Sequence, residues 1–281
     1  MNQQPIADAR STLKFLLDGS GRKSRSAPIR TTFVGIPLKE RENKGPRTKP
    51  GPLSVLVKRH DATGLDLYLI LMALASALPY DVTRDSRYFA RALDLKDAKD
   101  NYNTGAISKA WARLEDRGLI TRARKGKLAS ITPRPESGEA PEDEPYTAPA
   151  GKDDWYFKIP FEYWLDDEQS LHEKLTLPEK AMLLIGLSRL VGKTEFTLTA
   201  ENAERWYGVS TETAQRGLKG LVDKKVFERR RARRAAPETP EGFTYDSFYS
   251  LTGPLKKQAE TVTDDTPAEA APSSATPGGN S

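Results

Sequence analysis

Two stretches of the chain carry hydrophobic periodicity strong enough to predict folded units, residues 53–132 and 155–257. The first contains an almost continuously apolar run, Leu67 to Leu78, interrupted by Ser76. That run has the length of a core helix and is too short to cross a bilayer, which takes roughly 18 to 20 apolar residues. Both stretches therefore predict folded units that lie in water, each with its own hydrophobic core.

The first stretch predicts three helices followed by two short strands. In the third helix, Ile107, Trp111 and Leu114 recur at spacings of four and three residues, which places them on one helical face. Asn103 or Thr104 is suited to cap the start of this helix, because the side chain of either can accept a free backbone N–H of the first turn. A glycine ends the helix, and two strands follow around a basic turn.

The second stretch repeats this order of elements. Thr176 and Glu179 form the pattern of a capping box at the start of its first helix. Thr199 caps the next helix, Gly208 makes a turn, and Ser210 caps the third helix. The common order is helix, helix, turn, helix, strand, hairpin turn, strand. It predicts a mainly α fold with small β-hairpins, an α+β chain of two similar domains.

The segments outside these two stretches lack such periodicity. Residues 1–52 are rich in Gly, Pro, Lys and Arg and predict a mobile basic arm, with a short helix at 11–17 and a β-like run at 31–37. Residues 133–154 are acidic and proline-rich and predict a flexible linker. Residues 258–281 have the same kind of composition and predict a disordered tail.

Charge is segregated along the chain, although the net charge is only +5. Residues 1–52 hold 11 basic and 4 acidic residues, and residues 53–135 hold 15 and 9. Residues 136–154 hold one basic and seven acidic residues. Basic folded units flanked by acidic segments suit a polyanionic ligand, and a surface made soluble by charge is the alternative.

The composition also bears on location and chemistry. The chain has no cysteine, which excludes disulfides and thiolate metal sites, and its two histidines are too few for a His-rich metal centre. Its first residues lack the layout of a signal peptide, and no apolar run is long enough to span a membrane, so a cytoplasmic protein is expected. Without paired carboxylates, a nucleophile triad or a metal cluster, neither a cofactor nor an enzymatic activity is expected.

Two motifs resemble the winged helix-turn-helix superfamily. Residues 107–122, closing on 131–133, resemble the end of a winged helix in bacterial regulators, with a Gly-Leu-Ile turn from helix into strand and a basic hairpin. Residues 207–221, followed by 226–229, resemble the turn and recognition helix of the same superfamily. The resemblance implies two winged helix-turn-helix domains in tandem. As an architecture, this arrangement is similar to plasmid and phage replication initiators.

In this superfamily a recognition helix enters the major groove, and its exposed polar side chains face base edges and phosphates. In the first domain the corresponding candidates are Asn103, Thr104, Ser108, Lys109 and Arg113. In the second they are Ser210, Thr211, Glu212, Gln215, Arg216 and Lys219. Gln and Arg are suited to bidentate contacts with adenine and guanine. The alternative is that these residues form only the solvated face of an amphipathic helix.

The hairpins carry the densest positive charge. The first domain offers Arg122, Arg124, Lys125 and Lys127. The second places five arginines within six residues, at the end of a predicted strand over 226–231 and in the loop that follows it to about Gly242: Arg229, Arg230, Arg231, Arg233 and Arg234. Such clusters repel themselves and are hard to explain by folding alone, so we expect them to contact phosphates.

The sequence therefore predicts a sequence-specific binder of double-stranded DNA, acting in replication initiation or in transcription regulation, with the corresponding machinery as further partners. A duplex is expected because no repeated exposed aromatic platform is visible, and Trp155, Trp164 and Trp206 are predicted to be core residues. The alternative is an interaction scaffold whose winged helices bind proteins while basic segments dock nucleic acid non-specifically. The pattern leaves the oligomeric state open.

Overall fold

The computed structural model describes residues 7–38, 48–150, 154–166, 170–253 and 255–256. This part of the chain forms ten α-helices and four small antiparallel sheets. None of the helices in it is long and apolar enough to cross a membrane. The protein is therefore a mixed α and β chain, as its periodicity predicted.

Helices and strands are interspersed along the chain. The helices are α1 Ala9–Asp18, α2 Pro52–Lys58, α3 Ala62–Leu74, α4 Ser86–Ala92, α5 Thr104–Asp116, α6 Glu162–Leu165, α7 Leu171–Lys174, α8 Leu177–Arg189, α9 Ala200–Tyr207 and α10 Thr211–Asp223. The strands are β1 Ser26–Arg30, β2 Gly35–Pro37, β3 Thr48–Pro50, β4 Val82–Thr83, β5 Ile120–Lys125, β6 Leu128–Pro133, β7 Tyr156–Pro160, β8 Phe196–Thr197, β9 Phe227–Ala235 and β10 Phe243–Leu251.

Two units of the chain have the same internal topology. The first unit comprises α3, β4, α4, α5, β5 and β6, and the strands of its sheet lie in the order β4-β6-β5. The second unit comprises α8, β8, α9, α10, β9 and β10, with the order β8-β10-β9. In both, the last two strands form a hairpin and the short strand pairs with the final one. The repeated order predicted from the sequence is therefore present.

Several predicted helix ends are confirmed, although α3 ends at Leu74 and not at Leu78, where its apolar run ends. Asn103 and Ser210 cap α5 and α10, each accepting the backbone N–H three residues later. The carboxylate of Glu179 accepts the backbone N–H of Thr176 at 2.7 Å, as in a capping box. Gly208 ends α9 with a φ of +65°, a conformation that glycine adopts at little cost. Local chemistry therefore sets these boundaries.

The prediction of a mobile arm over residues 1–52 is wrong for its described part. Helix α1 buries Leu13, Leu16 and Leu17, and β1 pairs antiparallel with β7, with Ile29 opposite Phe157. The β-like run at 31–37 divides into a 3₁₀ turn and β2. The sequence predicts a mobile arm because residues 1–52 contain only short runs of apolar residues. The strand that pairs with β1, β7, lies more than 100 residues away in sequence.

Arg22 shows that basic charge in this segment has a structural use. Its guanidinium donates to the carbonyl oxygens of Met72, Ala73 and Ala75 at 2.6–2.9 Å. These carbonyls belong to the C-terminal end of α3, where helix carbonyls lack intrahelical donors. The arginine therefore completes a helix end and is not free to bind an external polyanion.

The prediction of a flexible linker over residues 133–154 is also wrong for the residues that the structure describes. Glu136 is fully buried and accepts from Arg30 Nη1 at 2.8 Å, while Asp154 accepts from Arg30 Nε at 2.6 Å. Burial raises the pKa of Glu136, and the nearby guanidinium of Arg30 opposes that rise. Tyr146 is buried beside this network. Glu136 and Asp154, whose charge suggested a solvated linker, thus anchor this segment to Arg30 of β1. The predicted tail, residues 258–281, lies outside the described residues.

The two units share one hydrophobic core. Across their boundary, Lys180 of α8 donates to both carboxylate oxygens of Asp66 of α3 at 2.7 and 2.8 Å, and both side chains are largely buried. The hydroxyl of Thr48 of β3, which precedes the first unit, donates to the carbonyl of Trp206 in the second unit at 2.9 Å. The units are therefore packed together, in contrast to the adjustable arrangement that a flexible linker would give.

The tryptophan predictions were right in part. Trp164 is buried and Trp206 is half-buried, with the guanidinium of Arg189 over its ring. Trp155 is 64% exposed, which contradicts its assignment to the core. It lies just before β7, and its carbonyl accepts the backbone N–H of Thr31 at 2.8 Å.

Candidate nucleic-acid interface

Helix α10 of the second unit has a packed face and an open face. Ala214, Gly217 and Leu218 are buried, and the helix packs against α8. At Gly217 a side chain has no room, because an added Cβ would lie 2.5 Å from the carbonyl oxygen of Pro178. This close approach fixes α10 on the body of the unit and leaves the opposite face to solvent.

The open face of α10 carries four of the predicted site residues. Glu212, Gln215, Arg216 and Lys219 are exposed and lie at spacings of three and four residues. Glu212 and Arg216 are 4.0 Å apart with largely exposed side chains, a pair worth little in water. Arg216, Gln215 and Lys219 are therefore available to an incoming ligand.

The two candidates at the start of α10 are engaged locally. Ser210 caps the helix, and its hydroxyl donates to Thr213 at 2.8 Å. Thr211 donates to the carboxylate of Glu204 on α9 at 2.6 Å. These residues fix the turn between the two helices, and their side chains are less free than those further along α10.

The corresponding helix of the first unit, α5, offers fewer free groups. The side chain of Asn103 is occupied as a cap, and the hydroxyl of Ser108 donates to the carbonyl of half-buried Thr104 at 3.1 Å. Lys109 is exposed, and no carboxylate in the described ranges lies within 4.0 Å of its ammonium. Among the predicted site residues of α5, Lys109 is therefore available to a phosphate.

Arg113 differs most from its predicted role. Its guanidinium donates to both oxygens of Asp61 at 2.6 and 2.9 Å, and Arg117 donates to the same carboxylate at 2.7 Å. Burial opposes ionisation of Asp61, but hydrogen bonds from the two guanidinium groups prevail and lower its pKa to about 2. Arg113 therefore ties α5 to the start of α3 instead of extending toward a DNA groove.

The arginine cluster of the second unit lies wholly on strand β9, which extends to Ala235, whereas the sequence predicted a strand that ends at Arg231 and a loop beyond it. Strands β9 and β10 pair along their whole length, from Phe227 opposite Leu251 to Ala235 opposite Phe243. Since side chains of a strand alternate between two faces, the five arginines are divided into two sets. Arg229, Arg231 and Arg233 share one face, and Arg230 and Arg234 share the other.

The positive charges of Arg230 and Arg234 are neutralised by carboxylates of the protein itself. Arg230 donates to Glu195 at 2.8 Å and lies over the ring of Phe248, 4.4 Å from its centroid. Arg234 pairs with Asp246 at 3.3 Å. An external phosphate would have to replace these carboxylates.

The opposite face, which we call the open hairpin face, carries Arg229, Arg231 and Arg233. All three are exposed, and no carboxylate within the described ranges approaches them to 4.0 Å. Directly across on β10 lie Tyr249, Ser247 and Tyr245. The open hairpin face therefore presents three unpaired positive charges in a row, the arrangement that attracts a phosphate backbone.

Sequence reasoning missed the aromatic residues of this face. Phe243 and Tyr245 lie two residues apart on β10 and share the open hairpin face. Tyr245 is 52% exposed. The alternation of aromatic and polar residues from Phe243 onward carried the signal, but only the register of the hairpin brings it opposite the free arginines.

The hairpin of the first unit has a mixed character. Arg122 donates to Glu115 at 2.7 Å, and Lys125 donates to Asp81 at 2.9 Å. The hydrogen bond from Lys125 is the main reason that the pKa of Asp81 falls to about 2. The remaining two candidates, Arg124 and Lys127, are exposed and have no carboxylate within 4.0 Å in the part of the chain described.

Comparison of the chain with protein-family models, with curated proteins and with solved structures gave no significant match.

Proposed function

We propose that this protein binds double-stranded DNA through two winged helices in tandem, with α5 and α10 as recognition helices and the two hairpins as wings. The observation that carries this proposal is in the second unit. There, a helix with an exposed polar face belongs to the same small fold as a hairpin with three arginines free of carboxylate partners in the described ranges. A helix for the groove and cations for the phosphates are the two parts that such recognition needs.

Within the second unit the two parts have different tasks. Gln215 and Arg216 have the chemistry for bidentate contacts with adenine and guanine, and their side chains are exposed. Arg229, Arg231 and Arg233 suit phosphates, whose recognition gives affinity without sequence information. The first unit adds Lys109 and the turn of its hairpin, a weaker set, because Arg113 is held by Asp61.

The two units would read DNA at a fixed spacing. They share a core and are joined by the buried pair of Asp66 and Lys180, so one cannot shift along the duplex without the other. Once a bound sequence is known, insertion of about five base pairs between its two contacted segments turns one segment to the opposite side of the duplex. We expect this insertion to reduce binding to that of random DNA, whereas unchanged affinity would contradict fixed spacing.

Within this proposal we favour a replication initiator of the plasmid or phage type over a transcription regulator. One chain with two recognition helices does alone what a symmetric dimer does with two half-sites. A bound site without two-fold symmetry, occupied by one chain, supports this choice. A palindromic site occupied by two chains would favour the regulator.

The decisive experiment is selection of bound sequences from a pool of random duplexes, followed by titration of variants on the selected site. Gln215→Ala and Arg216→Ala should each lose about 1–3 kcal/mol on the selected site and little on random DNA. Lys58→Ala, which removes an exposed cation from α2, serves as the control and should change neither affinity. Failure to enrich any sequence, together with a steep salt dependence, would favour the interaction scaffold with non-specific docking.

A further inference from the structure

The open hairpin face carries an aromatic pair in addition to its arginines. The ring centroids of Phe243 and Tyr245 lie 5.5 Å apart, and the ring planes meet at 85°, an edge-to-face contact. The guanidinium of Arg233 lies over the ring of Phe243, 4.1 Å from its centroid. Phe243 is thus held by Arg233, and it supports Tyr245, whose side chain is half exposed.

Phe248, on the opposite face of the hairpin, is shielded from solvent by a guanidinium, unlike Tyr245. The ring of Phe248 is covered by Arg230, which is itself fixed by Glu195. No guanidinium covers the ring of Tyr245 in the part of the chain described, although Arg233 lies directly opposite it on β9. A single exposed aromatic residue is ordinary on a protein surface. Its position among three arginines without carboxylate partners in the described ranges is what points to a ligand.

We propose that Tyr245 stacks on an unpaired base of DNA while Arg231 and Arg233 contact the phosphates beside that base. Every base has a π face, so stacking on an aromatic ring tolerates any sequence, and flanking cations follow the backbone. This inference rests on the proposed DNA binding and adds a preference for DNA that contains unpaired nucleotides. The hairpin would then hold a locally opened segment while the helices hold the adjoining duplex.

The test compares two probes that differ only in base pairing. One is a fully paired duplex, and the other is the same duplex with a short mismatched bubble that carries 2-aminopurine, whose fluorescence falls when it stacks. The full-length chain is titrated on both, with variants Tyr245→Ala and Tyr245→Phe. Phe15→Ala removes another exposed aromatic residue, on α1, and is the matched control. Circular dichroism and thermal melting establish that each variant is folded.

We expect the wild type to prefer the bubble roughly tenfold, within the range that stacking of one base provides, and to quench the 2-aminopurine. Tyr245→Ala should lose both effects and keep its affinity for the duplex. Tyr245→Phe and Phe15→Ala should retain both effects. Equal binding of the two probes by the wild type, or an undiminished preference in Tyr245→Ala, would overturn the inference and leave duplex binding intact. Absence of binding to either probe would overturn the proposed function as well.

Discussion

The two faces of the second hairpin provide a sharp test of the interface. Arg231 and Arg233 have no carboxylate partner in the described ranges, whereas Arg230 and Arg234 are paired with acids. We therefore compare the double variant Arg231→Gln/Arg233→Gln with Arg230→Gln/Arg234→Gln. Both remove two positive charges from the same strand and keep polar side chains, but they alter opposite faces. Only the second variant leaves two carboxylates, Glu195 and Asp246, without their arginine partners.

The expected magnitude follows from counterion release. Each lost phosphate contact reduces the slope of log affinity against log salt by about 0.9, so loss of two contacts reduces it by about 1.8. Over a fourfold change in salt, from roughly 50 to 200 mM, the affinity of the open-face variant should then change about 12-fold less than that of the wild type. The Arg230→Gln/Arg234→Gln variant should leave the slope nearly unchanged, because those two arginines are already neutralised by carboxylates.

The assay is fluorescence anisotropy of a labelled duplex, measured for the wild type and both variants at several salt concentrations. Thermal melting of each variant establishes that the hairpin is still folded. The assignment of phosphate contacts to the open hairpin face is contradicted if both double variants reduce the salt slope equally, because charge alone would then matter and not the face. It also fails if the open-face variant keeps the slope of the wild type.

Three further predictions concern stability. Asp61→Asn keeps a capping side chain but loses the charge; because the pKa of Asp61 is lowered to about 2 from 3.8, its contribution is present above pH 3.8 and is lost as pH falls toward 2. Urea unfolding should show the wild type losing about 1–2 kcal/mol over that interval after allowance for solvent screening, and an equal loss in the variant would contradict this. Gly217→Ala should lower the unfolding free energy by about 1–3 kcal/mol despite the better helix propensity of alanine, because its Cβ would meet the carbonyl of Pro178; a raised melting temperature would refute this. Lys180→Met leaves the largely buried Asp66 without its ammonium partner, with His172 Nδ1 3.9 Å away, and should cost about 3–5 kcal/mol. Asp66→Leu/Lys180→Met should recover most of it, and equal losses would show that the pair does not join the units.

Much of the fold could be predicted from the sequence because its signals are local. The apolar seam of Ile107, Trp111 and Leu114 and the caps Asn103 and Ser210 act within one or two helical turns, and all are found as predicted. The element order of both units follows from such signals. The basic hairpins could also be predicted, because their lysines and arginines are close together in the sequence.

The errors concern interactions between residues that are far apart in sequence. Nothing near Arg30 reveals that it pairs with Glu136, and so the arm and the linker were predicted to be mobile. Asp61 likewise removes Arg113 from the predicted interface through a contact made only in the folded chain. Charge composition is the same whether a basic residue is free or paired.

The sequence by itself determined which segments become helices and hairpins and where the positive charge lies, because periodicity, capping and composition act over a few neighbouring residues. Only the tertiary structure decided that the two units share a core and which cations remain available. The alternation of side chains along β9 and its register with β10 separate Arg231 from Arg230 and bring Tyr245 beside the free charges. Such assignments depend on pairing across the chain, which no local pattern encodes.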